Sequence, residues 1–267
     1  MSILSAIKVN NNPVAFKILG INIYWYAIII ITGILISAYI AKKEFIRYGY
    51  DGDFIYDFLI VMLPSAIICA RIWYVVFEWD YYKLNPSQII NIRAGGLAIH
   101  GGIIGALIAS YFFSKKRNIQ LIDLADVVFP SVALGQAIGR WGNFMNMEAY
   151  GYPTNLPWAM EINGVGVHPT FLYESIGDLL IFIFLYLRRK KNVNRGSQTA
   201  LYLIFYGILR FFVEGLRTDS LYILGLRTAQ LMSLLFIIIG IILFIKSKSM
   251  GEIDENFKKQ RKHQDIY

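Results

Sequence analysis

The residues 139–151 combine the side chains best suited to binding a phosphate group. They read Gly-Arg-Trp-Gly-Asn-Phe-Met-Asn-Met-Glu-Ala-Tyr-Gly and directly follow a long apolar segment. Polar groups at a membrane boundary lose hydration, so we expect them to bind a ligand or one another. Arg140 offers forked, charge-assisted hydrogen bonds, and the glycines let a ligand approach the backbone closely. The stretch predicts a pocket for a phosphate-bearing headgroup.

A second arginine, Arg210, lies inside another apolar segment. On a helix Tyr206, Arg210 and Glu214 stack at i, i+4 and i+8, and Arg217 follows one turn later. One interpretation is an internal Arg210–Glu214 ion pair that satisfies itself. Charges inside membrane segments are costly to keep, so we favour a cationic stripe that faces a cavity.

A histidine occurs among glycines in residues 95–105. Gly101 and Gly105 provide two small residues four apart, a spacing typical of close helix packing. His100 is either a hydrogen-bonded interior residue or a group that moves a proton near neutral pH. The segment 168–174, which starts His-Pro-Thr, predicts a helix start at Pro169. His168 is either part of that helix cap or a residue of the outer cavity.

The elements that position these residues are apolar segments long enough to cross a bilayer, which takes roughly 20 residues. We predict seven of them, at Ile18–Ala41, Phe54–Phe77, Gly96–Phe113, Leu121–Gly139, Thr170–Leu187, Thr199–Val213 and Arg227–Ile245. The sixth is short and contains Arg210. The predicted fold is therefore all-α, a polytopic membrane protein with residues 1–267 in a single membrane domain.

Lysines and arginines cluster in alternate loops, after the first, third, fifth and seventh segments. The positive-inside rule places those loops and the C-terminus in the cytoplasm. The 78–95, 140–169 and 214–226 loops then face outward, with 140–169 as a small cap and 246–267 as a charged cytoplasmic tail. The net charge of +8 thus reflects topology and attraction to anionic lipids. The basic clusters are short, so we expect no nucleic-acid partner.

Other polar residues near or within the segments are interpreted as interhelical partners that fix the helix bundle, with Arg71–Asp126 as one possible pair. This group comprises Arg71, Asp57, Asp126, Glu174 and Asp178. The chain has one cysteine, Cys69, so no intrachain disulfide can form. The sequence contains no His/Cys/Asp cluster at metal spacing, no Gly-x-Ser-x-Gly and no phosphate-binding Gly-x-x-x-x-Gly-Lys-Ser/Thr loop. We therefore expect no metal and no cofactor.

Three functions fit parts of this pattern, but none of them fits all of it. An anion or lipid transporter would also use arginines in the membrane, but we find no internal repeat to support inverted halves. A structural membrane scaffold would leave the dense 139–151 stretch unexplained. A metal-dependent phosphatidyltransferase would need paired aspartates at a spacing that is absent.

Taken together, the motifs resemble the bacterial prolipoprotein diacylglyceryl transferases along nearly the whole chain. The residues that carry the resemblance are Trp25-Tyr26, Ala70-Arg71-Ile72-Trp73-Tyr74, the His100–Gly105 segment, the 139–151 stretch, His168-Pro169-Thr170 with Tyr173-Glu174, and Arg210-Phe211 with Glu214 and Arg217-Thr218-Asp219. The 139–151 stretch matches the family signature and is the most specific part. No polar signature position departs from the family pattern.

The resemblance implies transfer of a diacylglyceryl group from phosphatidylglycerol to the thiol of the lipobox cysteine of a preprolipoprotein. A thioether forms and glycerol 1-phosphate leaves. Because the substrate supplies the thiol, the enzyme needs no nucleophile of its own. The implied setting is the bacterial cytoplasmic (inner) membrane, with the active site towards the extracytoplasmic side.

The implied roles follow from this chemistry. Arg140 and Arg210 are assigned to the phosphate, whose negative charge grows as it leaves. Asn143, Asn146 and the backbone near Gly151 hold the glycerol headgroup. Further residues are predicted to bind phosphatidylglycerol: Glu148, which orients Arg140 or binds a hydroxyl, Tyr26, Tyr206, Glu214 and Arg217.

His100 is the candidate base for the thiol, which must lose its proton to attack. If a neighbouring arginine favours the thiolate unaided, His100 is structural or positions the substrate instead.

Overall fold

The computed structural model describes residues 7–8, 12–92, 95–189, 193–223 and 225–251. Its helices, in chain order, are α1 (Trp25–Arg47), α2 (Phe54–Phe77), the short α3 (Trp79–Tyr82), α4 (Ile99–Lys116), α5 (Leu121–Met145), α6 (Thr170–Arg188), α7 (Ser197–Leu216) and α8 (Thr228–Ser247). A 3₁₀ helix covers Pro86–Ile90. Each of the seven predicted segments corresponds to one long helix.

Six of these helices, all the long ones except α4, are long and apolar enough to cross a membrane. The prediction of a helical, multi-pass membrane protein is therefore confirmed. The helix α4 has 18 residues and ends in Lys115 and Lys116, so its crossing of the membrane stays a prediction. The segment with Arg210 forms a full 20-residue helix, longer than its apolar stretch suggested.

The described strands are short and lie outside the long helices, a feature that the all-α prediction did not include. They are β1 (Ile7–Lys8), β2 (Val14–Ile18), β3 (Ile21–Tyr24), β4 (Met160–Ile162), β5 (Val165–Val167), β6 (Tyr222–Ile223) and β7 (Leu226–Arg227). The pairs β2–β3, β4–β5 and β6–β7 are antiparallel hairpins, and β1 lies parallel to β4. The predicted start of the first span at Ile18 was wrong, because Ile18 ends β2 and the helix begins at Trp25.

The chain divides into two compact units. The first unit comprises the described residues of Met1–Ala41 and Ala125–Tyr267, and the second comprises those of Lys42–Leu124. The single membrane domain stays a prediction. The tail prediction falls largely outside the described residues, because only residues up to 251 are described.

In the second unit, α2 and α4 pack closely at two glycines. A Cβ atom at Gly101 would lie 2.6 Å from Trp73 Cβ, and one at Gly105 would lie 2.8 Å from Cys69 Cβ. The Ser65 hydroxyl also donates to the Gly105 carbonyl, at 2.9 Å. The predicted close helix contact at these glycines is present, and any larger residue would separate the helices.

The predicted Arg71–Asp126 pair was wrong. Arg71, buried in the second unit, donates to backbone carbonyls of the loop after α3, those of Gln88, Ile89, Asn91, Gly95 and Gly96. A guanidinium group has enough donors to fix this loop without a carboxylate. Asp57 pairs with Arg117 in the same unit.

In the first unit, Asp126 caps the start of α7. Its carboxylate accepts from the Gly196 amide at 2.5 Å and from the Thr199 amide and hydroxyl, both at 2.7 Å. Gly196 has a φ of 83°, which a glycine adopts without strain. The carboxylate satisfies amides that the first turn leaves unpaired, and its charge suits the positive end of the helix. This contact fixes where α7, with its arginine, begins.

Candidate active site

Three helices of the first unit carry the charged residues of the candidate site. Arg140 lies near the end of α5, Glu174 in the second turn of α6, and Arg210 and Glu214 in the last turns of α7. Arg217 follows directly after α7. Residues on three helices, more than 30 positions apart in the sequence, thus lie close together.

Glu174 is the centre of this arrangement. It forms a short ion pair with Arg140, contacts the Arg210 Nη1 atom at 2.5 Å, and lies 3.8 Å from the Arg217 Nη1 atom. Arg210 also pairs with Glu214, one turn on, at 2.7 Å. We call these five residues the arginine–glutamate cluster. The internal Arg210–Glu214 pair is present, but it belongs to a larger group of charges.

The two kinds of charge differ in burial. The side chains of Glu174 and Glu214 are 3% and 2% exposed, whereas those of Arg140, Arg210 and Arg217 are 20%, 17% and 13% exposed. The two carboxylates are therefore buried below the arginines, and part of each guanidinium group stays accessible to solvent or a ligand. The accessible part of each guanidinium group can donate charge-assisted hydrogen bonds to an anionic ligand.

Arg217 has a further partner at the edge of the cluster. Its Nε and Nη2 atoms contact the two Asp219 carboxylate oxygens at 2.9 and 2.7 Å. Burial opposes both charges, but this forked contact outweighs it, raising the pKa of Arg217 and lowering the pKa of Asp219. The fork fixes the Arg217 side chain beside Glu174.

The amide residues of the 139–151 stretch form their own group. The Asn143 and Asn146 side-chain amides donate to the Glu148 Oε1 atom, at 2.9 and 3.4 Å. The predicted alternative in which Glu148 orients Arg140 was wrong, because Arg140 pairs with Glu174. Glu148 and Asn146 are exposed, so this group is open to a polar ligand.

The glycines of the stretch permit close packing. A Cβ atom at Gly142 would lie 2.8 Å from the Tyr26 ring, which packs over this part of α5. A Cβ atom at Gly151 would lie 2.7 Å both from His168 Cβ and from the Leu216 carbonyl oxygen. Gly151 therefore joins the end of the stretch to the segment after α7, where it pairs with Arg217 in an isolated bridge.

Tyr206, one turn before Arg210 on α7, stacks on Tyr202 with ring centroids 5.6 Å apart. The Tyr202 hydroxyl donates to Gln136 at 2.8 Å. Tyr202 and Tyr206 therefore lie on the same face of α7 as Arg210, in the turns that precede it.

The two predicted histidines have different surroundings. The His168 Nδ1 atom is 3.2 Å from the Tyr173 hydroxyl, which accepts a hydrogen bond from the Trp158 indole at 3.0 Å. His168 is therefore a residue of the α6 cap region. His100 belongs to the second unit, where its ring lies 6.4 Å from that of Trp73. Its role as a base stays a prediction.

Sequence reasoning assigned Glu174 and Asp178 only a packing role. They lie one turn apart on α6, and both are buried. Two acids at i, i+4 in an apolar helix are a signal of a polar site, because charged groups are costly to keep in a membrane segment. Within the described residues, no group of three or more His, Cys, Asp or Glu side chains is arranged to hold a metal ion.

This architecture defines a class: a multi-pass helical membrane protein with a partly accessible cluster of arginines and glutamates. The comparisons then identify the family. The prolipoprotein diacylglyceryl transferase family matches residues 13–246, and the chain belongs to it. It is therefore a multi-pass protein of the bacterial cytoplasmic membrane.

Similar proteins are each named phosphatidylglycerol–prolipoprotein diacylglyceryl transferase. The protein of Finegoldia magna is 56% identical over 236 residues, 88% of this chain and 95% of its own. Those of Clostridium novyi and Clostridioides difficile are 51% and 50% identical, covering 88% and 91% of this chain and 96% and 98% of theirs. The likeness thus spans nearly the full length of these relatives.

Proposed function

We propose that this protein transfers the diacylglyceryl group of phosphatidylglycerol to the lipobox cysteine thiol of preprolipoproteins. Its family membership and the names of its relatives give the reaction class and both substrates. The products are a diacylglyceryl thioether on the cysteine and glycerol 1-phosphate.

The observation that carries the proposal is the arginine–glutamate cluster. As the glycerol carbon–oxygen bond breaks, a phosphodiester with one negative charge becomes a phosphate monoester with a second developing charge. Arg140 and Arg210, held by Glu174, offer preorganised donors that stabilise the transition state more than the substrate. Arg217, fixed by Asp219, adds a third guanidinium group to the site.

The nucleophile in this reaction is the thiolate of the substrate cysteine. Its sulfur forms a bond to the glycerol carbon that carries the phosphate, and the carbon–oxygen bond electrons leave with glycerol 1-phosphate. The thiol proton passes to a base, for which we propose His100. A thiolate also forms more readily beside an arginine.

The headgroup of phosphatidylglycerol ends in a second glycerol with two hydroxyl groups. We propose that Asn143, Asn146 and Glu148 bind these hydroxyls, since their hydrogen-bonded group is open to a polar ligand. Tyr26 and Tyr206 line the same site. Following the positive-inside rule, we place this site on the extracytoplasmic side and the C-terminus in the cytoplasm.

The direct test is to incubate purified protein in nanodiscs with phosphatidylglycerol and a lipobox peptide that contains one cysteine. Mass spectrometry detects the diacylglyceryl thioether, and released glycerol 1-phosphate is the second readout. We expect both products from the wild type and a loss of at least about a hundredfold in Arg140→Ala, in line with the removal of a transition-state donor.

Arg189→Ala is the matched control, because Arg189 stacks on Tyr186 away from the cluster. We expect it to keep wild-type activity. Full activity in Arg140→Ala would remove that arginine from the mechanism. No product from folded wild-type protein would contradict the proposed reaction and favour lipid or anion transport.

A further inference from the structure

The β2–β3 hairpin has one apolar and one polar face, and no residue of either strand is buried. The facing pairs next to its turn are Phe16 with Ile23, Lys17 with Asn22, and Ile18 with Ile21. Because successive side chains of a strand point to opposite faces, the four apolar residues share one face, and the lysine and asparagine share the other. A two-stranded hairpin is marginally stable in water unless its apolar face packs against something. The apolar face of β2–β3 therefore calls for a partner.

The turn of this hairpin, Leu19-Gly20, has an unusual first residue. Both residues have positive φ angles, 48° and 82°, as a two-residue hairpin turn requires. Glycine, asparagine and aspartate favour this conformation, whereas leucine adopts it at a cost in strain. Leu19 is also 98% exposed. In water this leucine is unfavourable on both counts, so its presence indicates an apolar environment at the turn.

The β4–β5 hairpin is a matched comparison within the same chain. Its two-residue turn, Asn163-Gly164, has nearly the same φ angles, 50° and 80°, but its first residue is an asparagine, which this conformation favours. Its apolar residues Met160 and Val167 are buried in a cluster with Phe171. The β4–β5 hairpin thus packs against the protein and exposes a polar turn, whereas β2–β3 exposes both its apolar face and an apolar turn.

The position of β2–β3 points to the lipid bilayer as its partner. Strand β3 ends at Tyr24, and α1, which is long and apolar enough to cross a membrane, begins at the next residue. The Trp25 amide donates to the Pro13 carbonyl at 3.0 Å, which holds the start of the hairpin against the start of the helix. Tyr24 and Trp25 are exposed, and such aromatic residues are enriched at membrane interfaces. The chain from Tyr24 to Leu19 reaches at most about 17 Å at ~3.3 Å per residue, so the turn stays near the bilayer surface.

We propose that the β2–β3 hairpin is a membrane anchor whose apolar face and Leu19 insert into the interfacial region of the bilayer beside α1. Lys17, on the opposite face, lies among the lipid phosphate groups, which its charge complements. The inference goes beyond the proposed transferase reaction and does not depend on it, because it concerns lipid contact alone.

The test measures the depth of the hairpin turn in nanodiscs of phosphatidylglycerol and phosphatidylcholine. In a Cys69→Ala background, which removes the one native cysteine, Leu19→Cys and, separately, Asn163→Cys are labelled with the same environment-sensitive fluorophore. Lipids that carry a nitroxide near the headgroup quench a label in the interface, and iodide quenches a label in water. We expect severalfold stronger lipid quenching for Leu19→Cys than for Asn163→Cys, and the reverse order with iodide.

A label on the apolar face tests the leucine itself. Ile21→Cys carries the fluorophore, and Leu19→Asn is added to it; because asparagine favours the turn, thermal unfolding in detergent should show a folded protein. We expect weaker lipid quenching at position 21, since burial of a leucine side chain favours insertion by about tenfold or more. Unchanged quenching at position 21, or equal lipid quenching at positions 19 and 163, would overturn the inference. Protection of position 19 from both quenchers would also overturn it, because the turn would then be covered by protein.

Discussion

Among single residues, Glu174 joins the helices of the site, because it contacts Arg140 on α5 and Arg210 on α7. Arg140, Arg210 and Glu214 could be recognised from the sequence because charged residues in apolar segments are costly. Glu174 carries the same cost, but its importance depends on contacts with α5 and α7 that no local pattern encodes. The predicted Arg71–Asp126 pair was wrong because local patterns do not show backbone partners either. Arg71 donates to backbone carbonyls after α3, and Asp126 accepts from amides at the start of α7.

Replacement of His100 tests its proposed role as the base. We expect His100→Gln to lower the transfer rate by about a hundredfold or more, the usual contribution of a general base. The acid limb of the pH–rate profile should also change, because glutamine cannot accept the proton. A profile identical in shape to that of the wild type would contradict the role, whatever the rate. His168→Gln is the control, since His168 contacts Tyr173 in the α6 cap region.

The Arg217–Asp219 fork predicts a pH dependence of stability. Because folding lowers the pKa of Asp219 from its ordinary value of 3.8, the fork stabilises the protein above about pH 4 and is lost as pH falls through the lower, folded value. Asp219→Asn should therefore lower the unfolding temperature at pH 7, and the difference from wild type should shrink towards pH 3. Since Asp219 is half-exposed, we expect a small effect. A difference that stays constant down to pH 3 would contradict this account.

At the scale of elements, the long helices could be predicted and their connections could not. Apolar length and basic flanks indicated the other helices, but Ile18 of the first segment belongs to a strand. The predicted end of the fourth segment at Gly139 was also wrong, because α5 continues to Met145 and residues 140–145 of the predicted loop are helical. The missed β4–β5 hairpin had a signal, Asn163-Gly164, whose φ angles of 50° and 80° fit a two-residue hairpin turn. The β4–β5 hairpin is therefore ordered by local turn chemistry that hydropathy does not report.

The α2–α4 contact gives a prediction at this scale with a control on the same helix. An alanine at Gly101 or Gly105 would place its Cβ within 2.9 Å of α2 atoms, whereas one at Gly102 would have its nearest neighbours at 3.8 Å. We expect Gly101→Ala and Gly105→Ala to cost about 1–3 kcal/mol by overpacking. Gly102→Ala should be neutral or slightly stabilising, because alanine favours helices. Thermal unfolding in detergent measures the three; equal effects would contradict close packing as the reason for the glycines.

At the scale of the whole molecule, charge is distributed for two purposes. Most lysines and arginines flank helix ends in alternate loops, where they set orientation. Arg140, Arg210 and Arg217 are instead paired with acids, and we propose that their accessible N–H groups bind the phosphate. Because these arginines are matched by acids, the net charge of +8 comes mainly from the loops.

Cysteine labelling tests the predicted orientation of the protein in the membrane. In a Cys69→Ala background, which removes the one native cysteine, we introduce a single cysteine at Lys83 or at Lys248, both exposed positions. Because basic residues follow α4, α6 and α8, we expect position 83 to face outward and position 248 to face the cytoplasm.

A membrane-impermeant maleimide should label Lys83→Cys in intact cells, and Lys248→Cys only after permeabilisation. Retained transfer activity in the background variant is the control for correct insertion. The reverse labelling pattern would place the C-terminus outside, and labelling of both positions in intact cells would contradict an odd number of crossings between them.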